Sequence, residues 1–590
     1  MIGRPAFTEE EQRLWVSTAI LLGYVVRTVY ERAVPVDYGI TDQGFYYNFS
    51  MDQFPAKEDL EKLEQKMLEL LRRGLKLEVE EFSLKEFKDV APAKAELLEK
   101  VGYKLGEKVK VAKLNGYCDV LLGEAAAELS SIKAVKLLNV SSHLAAEDLV
   151  LVRIHGISFS SKERLKEYLR WLEEVRKRDH RFIGRKLELF AFFEEAGSGL
   201  AIFYPKGTVI REELMKLVKE VNRRLGYQEV FTPHIYRAAI WKTSGHYDMY
   251  RDKMVLFTVE GQEYGLKPMN CPGHILIYKS KTRSYKDLPV KLAEFGTVYR
   301  WEQRGELYGL LRVRGFTQDD GHAFLRPDQV KDEIKSIVLE IFGILTAFGF
   351  GKQDVKVYVS TRPEEFIGTV EQWEEATKVL KEALEEIGVS YQVKEGEGAF
   401  YGPKIDVHFR DCLGRWWQCS TIQVDFALPE RFKLEYVAPD GSKKRPVLIH
   451  RALLGSVERF MAVLIEHFAG RLPTWLSPIQ VRVLPISERQ QDYAEMVLKR
   501  LESSGVRADL DPAGETLQKR IKKAHGELIP YIVIVGDEEK LSGTVTIRAR
   551  GNVLVRSVKL DDFLASLKRE IEARSLELTA ISQLSSRSQK

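Results

Sequence analysis

Cysteine is scarce in this chain: Cys118, Cys271, Cys412 and Cys419 are the only four in 590 residues. That excludes a disulfide framework and points to a reducing compartment. Long apolar runs are missing too. A membrane span needs about 20 apolar residues, and the most apolar stretch near the start, Leu14 to Val26, follows the acidic TEEEQ where a signal peptide carries a basic flank. The expectation is a cytoplasmic protein with no membrane partner, that stretch being a buried helix or strand. Excess charge is also absent: the net +4 gives only weak support for a nucleic-acid partner, and a mixed solvated surface accounts for it at least as well. There are no internal repeats and no low-complexity linkers, and a chain of this length outgrows a single core.

Apolar spacing marks out the elements that are present. Leu60, Leu63, Met67, Leu70 and Leu71 recur at helical intervals, and Leu165, Tyr168, Leu169, Leu172 and Val175 line one side of a second helix in SSKERLKEYLRWLEEVRKRDHR. The basic end of that helix reads as a connector closing a first domain, 1–178. TVIREELMKLVKEVNRRLG predicts a helix stopped by a left-handed cap at Gly226. From YQEVFTPHI to about Trp475, short β-rich runs alternate with helices, predicting an α+β domain on an antiparallel sheet over 179–476. Beyond Pro478, IQVRVLPIS, VRADLD and YIVIVGD read as buried strands with helical stretches between them, a small α/β domain over 477–575. The polar end, 576–590, reads as a flexible tail.

Two segments carry concentrated chemistry. In KPMNCPGHIL, Cys271 could be a small buried residue at a turn, a nucleophile with His274 as its base, or a metal ligand with distant partners. FGTVYRWEQRGELYGLLRVRGFTQDDGHAF predicts a hairpin, with Arg300 and Glu302 sharing one face and Arg312 and Arg314 sharing one face. Guanidinium groups so placed suit phosphate oxygens, although spacing alone fits a salt-bridged surface hairpin equally well.

That hairpin resembles motif 2 of the class II aminoacyl-tRNA synthetases. RRLGYQEVFTPHI, with Pro233, resembles the dimer-forming motif 1, and LIHRALLGSVERFMAVLIEHF, with Arg459, resembles motif 3. Within the class, MNCPGH, RVRGFTQDDGH, FYGPKID and IHRALLGSVERF, in that order, are similar to the threonyl-tRNA synthetases. The resemblance implies a multidomain α+β enzyme, a homodimer that uses ATP with Mg²⁺ to charge tRNA-Thr with threonine. It also implies one zinc ion per subunit on Cys271, His322 and His450, with threonine completing the coordination. Valine nearly matches threonine in shape, so a hydroxyl-demanding metal site selects where an apolar pocket cannot.

The other roles carry over by position. Arg300 matches the arginine between the ATP α-phosphate and the amino-acid carboxylate, Glu302 the residue at the adenine amino group, and Phe316 the aromatic stacked on adenine. Arg312 and Arg459 match arginines on the outer phosphates, and Lys404 and Gln418 polar residues near the reacting phosphate. Gln318, Asp320, Tyr401 and Gln423 surround threonine, Asp320 facing its ammonium group. His246 matches a histidine implicated in transfer to the tRNA ribose. The C-terminal domain resembles a shared anticodon-binding domain, with Glu539 and Arg548 at contact positions. An asparagine contact of some members is Gly514 here, and the motif 2 loop reads RWEQRG where RNEPSG is common.

The N-terminal region departs further. WVSTAILLGYVV, ITDQGFYYNF and NGYCDVLLGEAAAEL resemble a bacterial-type editing domain, but its catalytic histidines become Val16 and Ile20, and its Cys-x-x-x-His pair becomes Leu121 and Ala125. Aliphatic groups cannot move protons. The expectation is a domain that keeps its fold without hydrolysing seryl-tRNA, leaving correction to a separate protein. Two alternatives stand beside this. A class II synthetase for proline or serine would lack the zinc ligands, and a non-catalytic paralogue that binds RNA or regulates translation would have lost Arg300 or Arg459.

Overall fold

A computed structural model describes residues 7–41, 43–104, 106–126, 128–146 and 149–587. The chain divides into two compact units, Arg4–Val175 and the portion from Arg176 onward, the division falling inside the helix Lys162–Arg178. In the first unit, the apolar stretch Leu14 to Val26 lies within the helix Glu9–Val29. Thr8 caps it, its Oγ1 accepting the Glu11 N–H at 3.1 Å. This helix packs on an antiparallel sheet of strands Val34–Thr41, Gly44–Ser50, Leu149–Phe159 and Ala134–Ala146, in that order. The helix Lys57–Arg72 buries Leu60, Leu63, Met67 and Leu71 at the expected intervals. In Lys162–Arg178 the deepest residues are Tyr168 and Trp171, the tryptophan lying outside the expected stripe. A smaller antiparallel sheet joins Glu78–Ser83, Lys108–Leu114 and Tyr117–Val120. Among the described residues no helix is long and apolar enough to cross a membrane.

The second unit is built on an eight-stranded sheet. Its order is Gln228–Glu229, Val290–Tyr299, Gly315–Leu325, Val447–Ser456, Trp416–Asp425, Lys404–Arg410, Val355–Ser360 and Gln392–Lys394. Every interior pairing is antiparallel, and only the two edge strands run parallel to their neighbours. The helix Pro205–Arg224 starts on proline, which fits the first turn where an N–H is spare. It buries Ile210, Leu214, Leu217, Val218 and Val221, and ends before Gly226 at φ +78°. A five-stranded sheet follows, Ala508–Leu510, Val481–Pro485, Tyr531–Val535, Thr544–Ala549 and Leu554–Lys559. The first three strands are parallel and the rest antiparallel, over a separate hydrophobic core. The architecture is therefore multidomain α+β, as the sequence predicts.

Two expectations need correction. The segment 576–590 was expected to be a tail, yet it contains the helix Thr579–Arg587. Ala580, Ile581 and Leu584 fall on one helical face and are buried in the C-terminal core, and Glu570 accepts the Ala580 N–H at 2.6 Å. Residues 588–590 lie outside the described residues. The predicted hairpin is also shorter than read. Its strands end at Tyr299 and begin again at Gly315, so Arg300, Glu302, Arg312 and Arg314 sit in the connection. Strand alternation does not set their directions. Arg314 instead turns back, its guanidinium 3.9 Å from the Trp301 ring centroid and its Nε donating to the Glu302 carbonyl.

Candidate active site and metal centre

The site lies across the centre of the eight-stranded sheet. Gln318, Asp320 and His322 alternate along Gly315–Leu325, so they project from one face. His450 pairs directly with His322 from the next strand, and Gln423 pairs with His450 from the strand beyond. Cys271 joins them from the first turn of the helix Cys271–Lys279, whose second residue is proline.

Cys271, His322 and His450 are buried, and one ligand atom from each lies within 4.8 Å of the other two. The far nitrogen of each imidazole is held. His450 Nε2 lies 2.8 Å from Asp425 Oδ2, and His322 Nδ1 lies 2.8 Å from His274 Nδ1. His274 in turn faces the Glu294 carboxylate at 3.4 Å. This leaves His322 Nε2 and His450 Nδ1 pointing at one another across 2.8 Å, a contact that needs a proton or a cation between two lone pairs. Burial pushes the Cys271 thiol well above its ordinary range, and a metal cation reverses that preference. One sulfur and two imidazole nitrogens, each imidazole oriented from behind, is a donor set that suits zinc with a position left open. His274 thus backs His322 and is not turned to a substrate.

A cavity of about 100 Å³ adjoins the three ligands and is also lined by Met269, Arg300, Gln318, Asp320, Tyr401 and Gln423. Asp320 accepts from Asn270 Nδ2 at 3.1 Å, and burial raises its carboxyl pKa. The Tyr401 ring lies 5.3 Å from that of His450, and Gln423 Nε2 donates to the Gly402 carbonyl at 3.1 Å. Gly402 is required there, because a Cβ would stand 1.8 Å from the Val424 carbonyl oxygen.

Cationic groups gather at the other end. The Arg300 guanidinium lies 5.2 Å from the Phe316 ring centroid and 5.7 Å from that of Tyr250, and its Nε donates to the Pro268 carbonyl. Arg312 bonds Glu302 at 2.9 Å and Glu306 at 2.7 Å. Burial pushes the Glu302 carboxyl up, but Lys253 and Arg312 outweigh it and leave the group below its usual range. Arg459, near the start of the helix Val457–His467, donates Nε to the Leu311 carbonyl at 3.0 Å.

Other expected residues stand apart from the cavity lining. Lys404 and Gln418 converge on Asp406, at 2.8 and 2.6 Å. His246 is fully buried with Nδ1 2.8 Å from Ser244 Oγ and Nε2 2.9 Å from Met269 Sδ, and burial pushes its pKa down to about 3. Glu539 and Arg548 belong to the C-terminal sheet region. Glu539 accepts from Thr546 Oγ1 at 2.7 Å, two residues from Arg548 on the same strand face. Asp425, Asn270 and Lys253 act behind the expected residues, and nothing local in the sequence marks them out, whereas His274, read as a possible base for Cys271, backs His322 instead.

A second metal-capable group, Asp179, His180 and Glu466, lies elsewhere in this unit. Arg181 bonds Asp179 and Arg415 bonds Glu466, so positive charge is already supplied. In the N-terminal unit, Val16 and Ile20 are core residues, with Leu121 and Ala125 packed against the same cluster. A polar group survives beside them: Asp119 accepts from Lys94, from Tyr47 at 2.5 Å and from Tyr117 at 2.8 Å. Its members satisfy one another.

A family model described as tRNA synthetase class II core domain (G, H, P, S and T) matches residues 250–468, and one described as anticodon binding domain matches 480–570. The threonine–tRNA ligase catalytic subunit of Sulfurisphaera tokodaii is 60% identical over 452 residues, 77% of this chain and 84% of that protein. The Metallosphaera sedula protein of the same name is 49% identical over 577 residues, covering 98% of this chain and 100% of its own. Among solved structures, the RNA binding domain of threonyl-tRNA synthetase from Cryptosporidium parvum Iowa II is similar with a TM-score of 0.64 and 41% identity, over 66% of this chain and 98% of that one. The chain belongs to the threonine–tRNA ligases, the class II synthetases that join threonine to tRNA at the expense of ATP.

Proposed function

We propose that this ligase selects threonine through zinc and does not correct seryl-tRNA within its own chain. The observation that carries the first half is the convergence of Cys271, His322 and His450 within 4.8 Å beside a cavity of amino-acid size. Those three side chains would hold the ion, which when bound would supply a Lewis-acidic position that favours a hydroxyl-bearing amino acid. Asp320 faces the substrate amino group, and Gln318, Tyr401 and Gln423 close around the side chain. Arg300 bridges the carboxylate and the α-phosphate, Phe316 and Glu302 receive adenine, and Arg312 and Arg459 hold the outer phosphates of ATP bound with Mg²⁺. Lys404 and Gln418 stand toward the reacting phosphate, and Glu539 and Arg548 toward the anticodon. With these charges fixed before reaction, attack of the threonine carboxylate on the α-phosphate, which breaks the α–β phosphoanhydride bond and releases pyrophosphate, is driven by positioning and electrostatics. His246, neutral by burial, then serves the transfer to the tRNA ribose.

The second half is supported by Val16 and Ile20 filling the core where an editing site needs proton-transfer groups. On this reading 1–178 is a non-hydrolysing domain, 179–476 the catalytic domain and 477–575 the anticodon-binding domain. The enzyme works as a cytoplasmic homodimer, and a separate protein clears seryl-tRNA. Purified enzyme offered threonine, serine and valine with tRNA-Thr tests both halves. Stable threonyl-tRNA, persistent seryl-tRNA and negligible valyl-tRNA are expected, with about one zinc per chain by metal analysis. Rapid clearance of seryl-tRNA by this chain alone overturns the second half. Zinc content unchanged in Cys271→Ala overturns the first.

A further inference from the structure

His180 occupies the first position of the helix His180–Lys186 and is fully buried. It lines none of the site described above, yet both ring nitrogens are engaged. Nε2 accepts the backbone N–H of Leu310 at 3.0 Å, which places the ring hydrogen on Nδ1. Nδ1–H is then the donor to Glu466 Oε1 at 2.6 Å, and the His180 backbone N–H donates to the same oxygen at 3.1 Å. Glu466 sits seven residues beyond Arg459 on the helix Val457–His467, two turns along one face, and its second oxygen is held by Arg415.

Leu310 lies inside a tight turn. Tyr308 N–H donates to the Arg312 carbonyl at 3.1 Å, and the Tyr308 carbonyl accepts from Leu311 at 3.0 Å and from Arg312 at 3.3 Å. Gly309 has φ +48°, and a Cβ there would stand 2.1 Å from His180 Nε2. The neighbouring Arg181 guanidinium covers the Tyr308 ring at 4.3 Å. The next carbonyl, that of Leu311, is the one that takes Arg459 Nε. The ring therefore ties the far end of the Arg459 helix to the turn that holds the Arg459 side chain and presents Arg312.

We propose that His180 is a positioning residue for the ATP half of the reaction: it locks the turn Tyr308–Arg312 against the helix Val457–His467, so that Arg312 and Arg459 are aimed before the nucleotide arrives. This rests on the reading of those two arginines as phosphate ligands. One N–H of Arg459 is spent on Leu311, which fixes the plane of the guanidinium and leaves its terminal nitrogens for oxygen ligands. Without the ring, the Leu310 N–H is a buried donor with no partner and the turn must shift to hydrate it.

The test is threonine-dependent ATP–pyrophosphate exchange on the full chain, with His180→Ala, His180→Gln, His180→Asn and Arg459→Ala. A glutamine oxygen reaches the place of Nε2 and can still accept from Leu310, whereas asparagine keeps only the Nδ1-like donor. His180→Ala and His180→Asn are expected to raise the KM for ATP about tenfold, with the threonine KM within about twofold and His180→Gln within about threefold of the parent. Should His180→Ala fail to fold, the glutamine–asparagine contrast carries the same information. An unchanged ATP KM in the asparagine variant overturns the proposal. So does a glutamine variant as impaired as asparagine, or a loss explained wholly by fewer titratable active sites. If Arg459→Ala itself leaves the ATP KM unchanged, the phosphate reading fails and takes this inference with it. If Arg459→Ala raises it and the histidine variants do not, this inference alone fails.

Discussion

Single side chains in this site are tuned chiefly by burial. His246 is pushed down to about 3 by desolvation, with His450, Arg300 and Arg431 adding to the effect. An unfolded histidine titrates near 6.5, so between about 6.5 and 3 the unfolded chain binds a proton that the folded one refuses. The stability tied to this group is present above 6.5 and lost as pH falls. In going from pH 7 to pH 5 the parent should lose about 2 kcal/mol more than His246→Gln, read from urea unfolding midpoints. Equal acid loss in the two proteins refutes the neutral, buried assignment. Such tuning could not be read from sequence, and the metal-capable trio comes from the family resemblance, not from spacing. His322 and His450 are 128 residues apart, and only strand register makes them neighbours. Alternation gives no signal either: in GFTQDDGHAFL the polar Thr317 and Asp319 interleave with Gln318, Asp320 and His322, so polar groups fall on both faces of the strand. Asp425, behind His450, looks like an ordinary residue because its role is set by what it faces, and His274 drew notice for a different role from the one its contact with His322 gives it.

Elements were more legible than the joins between them. The helix ending at Gly226 and the strands of the C-terminal sheet follow from periodicity, whereas the terminal helix was missed because its buried face has only three small or aliphatic residues among serines. The motif 2 connection was misread because its arginines look strand-like in spacing, while the ladder stops at Tyr299. Another join is made by Asp319, whose carboxylate accepts the N–H groups of Leu453, Leu454 and Gly455 at 2.8, 3.0 and 2.8 Å. It does so at a bulge between Gln318 and Asp320, just before Ser456 caps the helix carrying Arg459. Asp319→Ala strands the buried N–H groups of Leu453 and Leu454 and the partly buried one of Gly455, and should cost about 3 kcal/mol. Arg459 should also lose its footing, so adenylate formation is expected to fall further than stability alone explains at a temperature where the variant is folded. A variant as stable as the parent, measured by thermal unfolding, rules out the clamp.

At the scale of the second unit, one helix serves both ends. Pro205–Arg224 turns Arg211 toward Thr317 and Glu458 beside the active-site strands. Along the same helix, Lys206, Glu213 and Glu220 recur every seven residues and meet Glu527 at 3.6 Å, Arg507 at 3.0 Å and Arg574 at 2.6 Å from the C-terminal domain. The pairs are partly exposed, so each is worth about 1 kcal/mol or less. Arg507 does more, since it also donates to the Trp475 and Ser477 carbonyls in the connecting segment. Arg507→Ala should therefore destabilise the protein more than Glu213→Gln. Both should leave ATP–pyrophosphate exchange within about twofold while charging of tRNA falls, because neither side chain reaches the reacting atoms. Exchange lost in step with charging would deny the separation.

The apolar residues of the N-terminal unit bear on history as well as on chemistry. Val16 and Ile20 are not blanks left in a pocket; they are 1% and 0% exposed members of its main core. Placing a histidine at either position puts a polar ring among aliphatic neighbours, with a desolvation penalty on any proton it carries. A single such change would weaken the domain while Val16 or Ile20, Leu121 and Ala125 still supplied no proton-transfer group. If the editing function was given up in the way proposed, it was given up through a ratchet. Its descendants stay dependent on whatever now clears the wrong product.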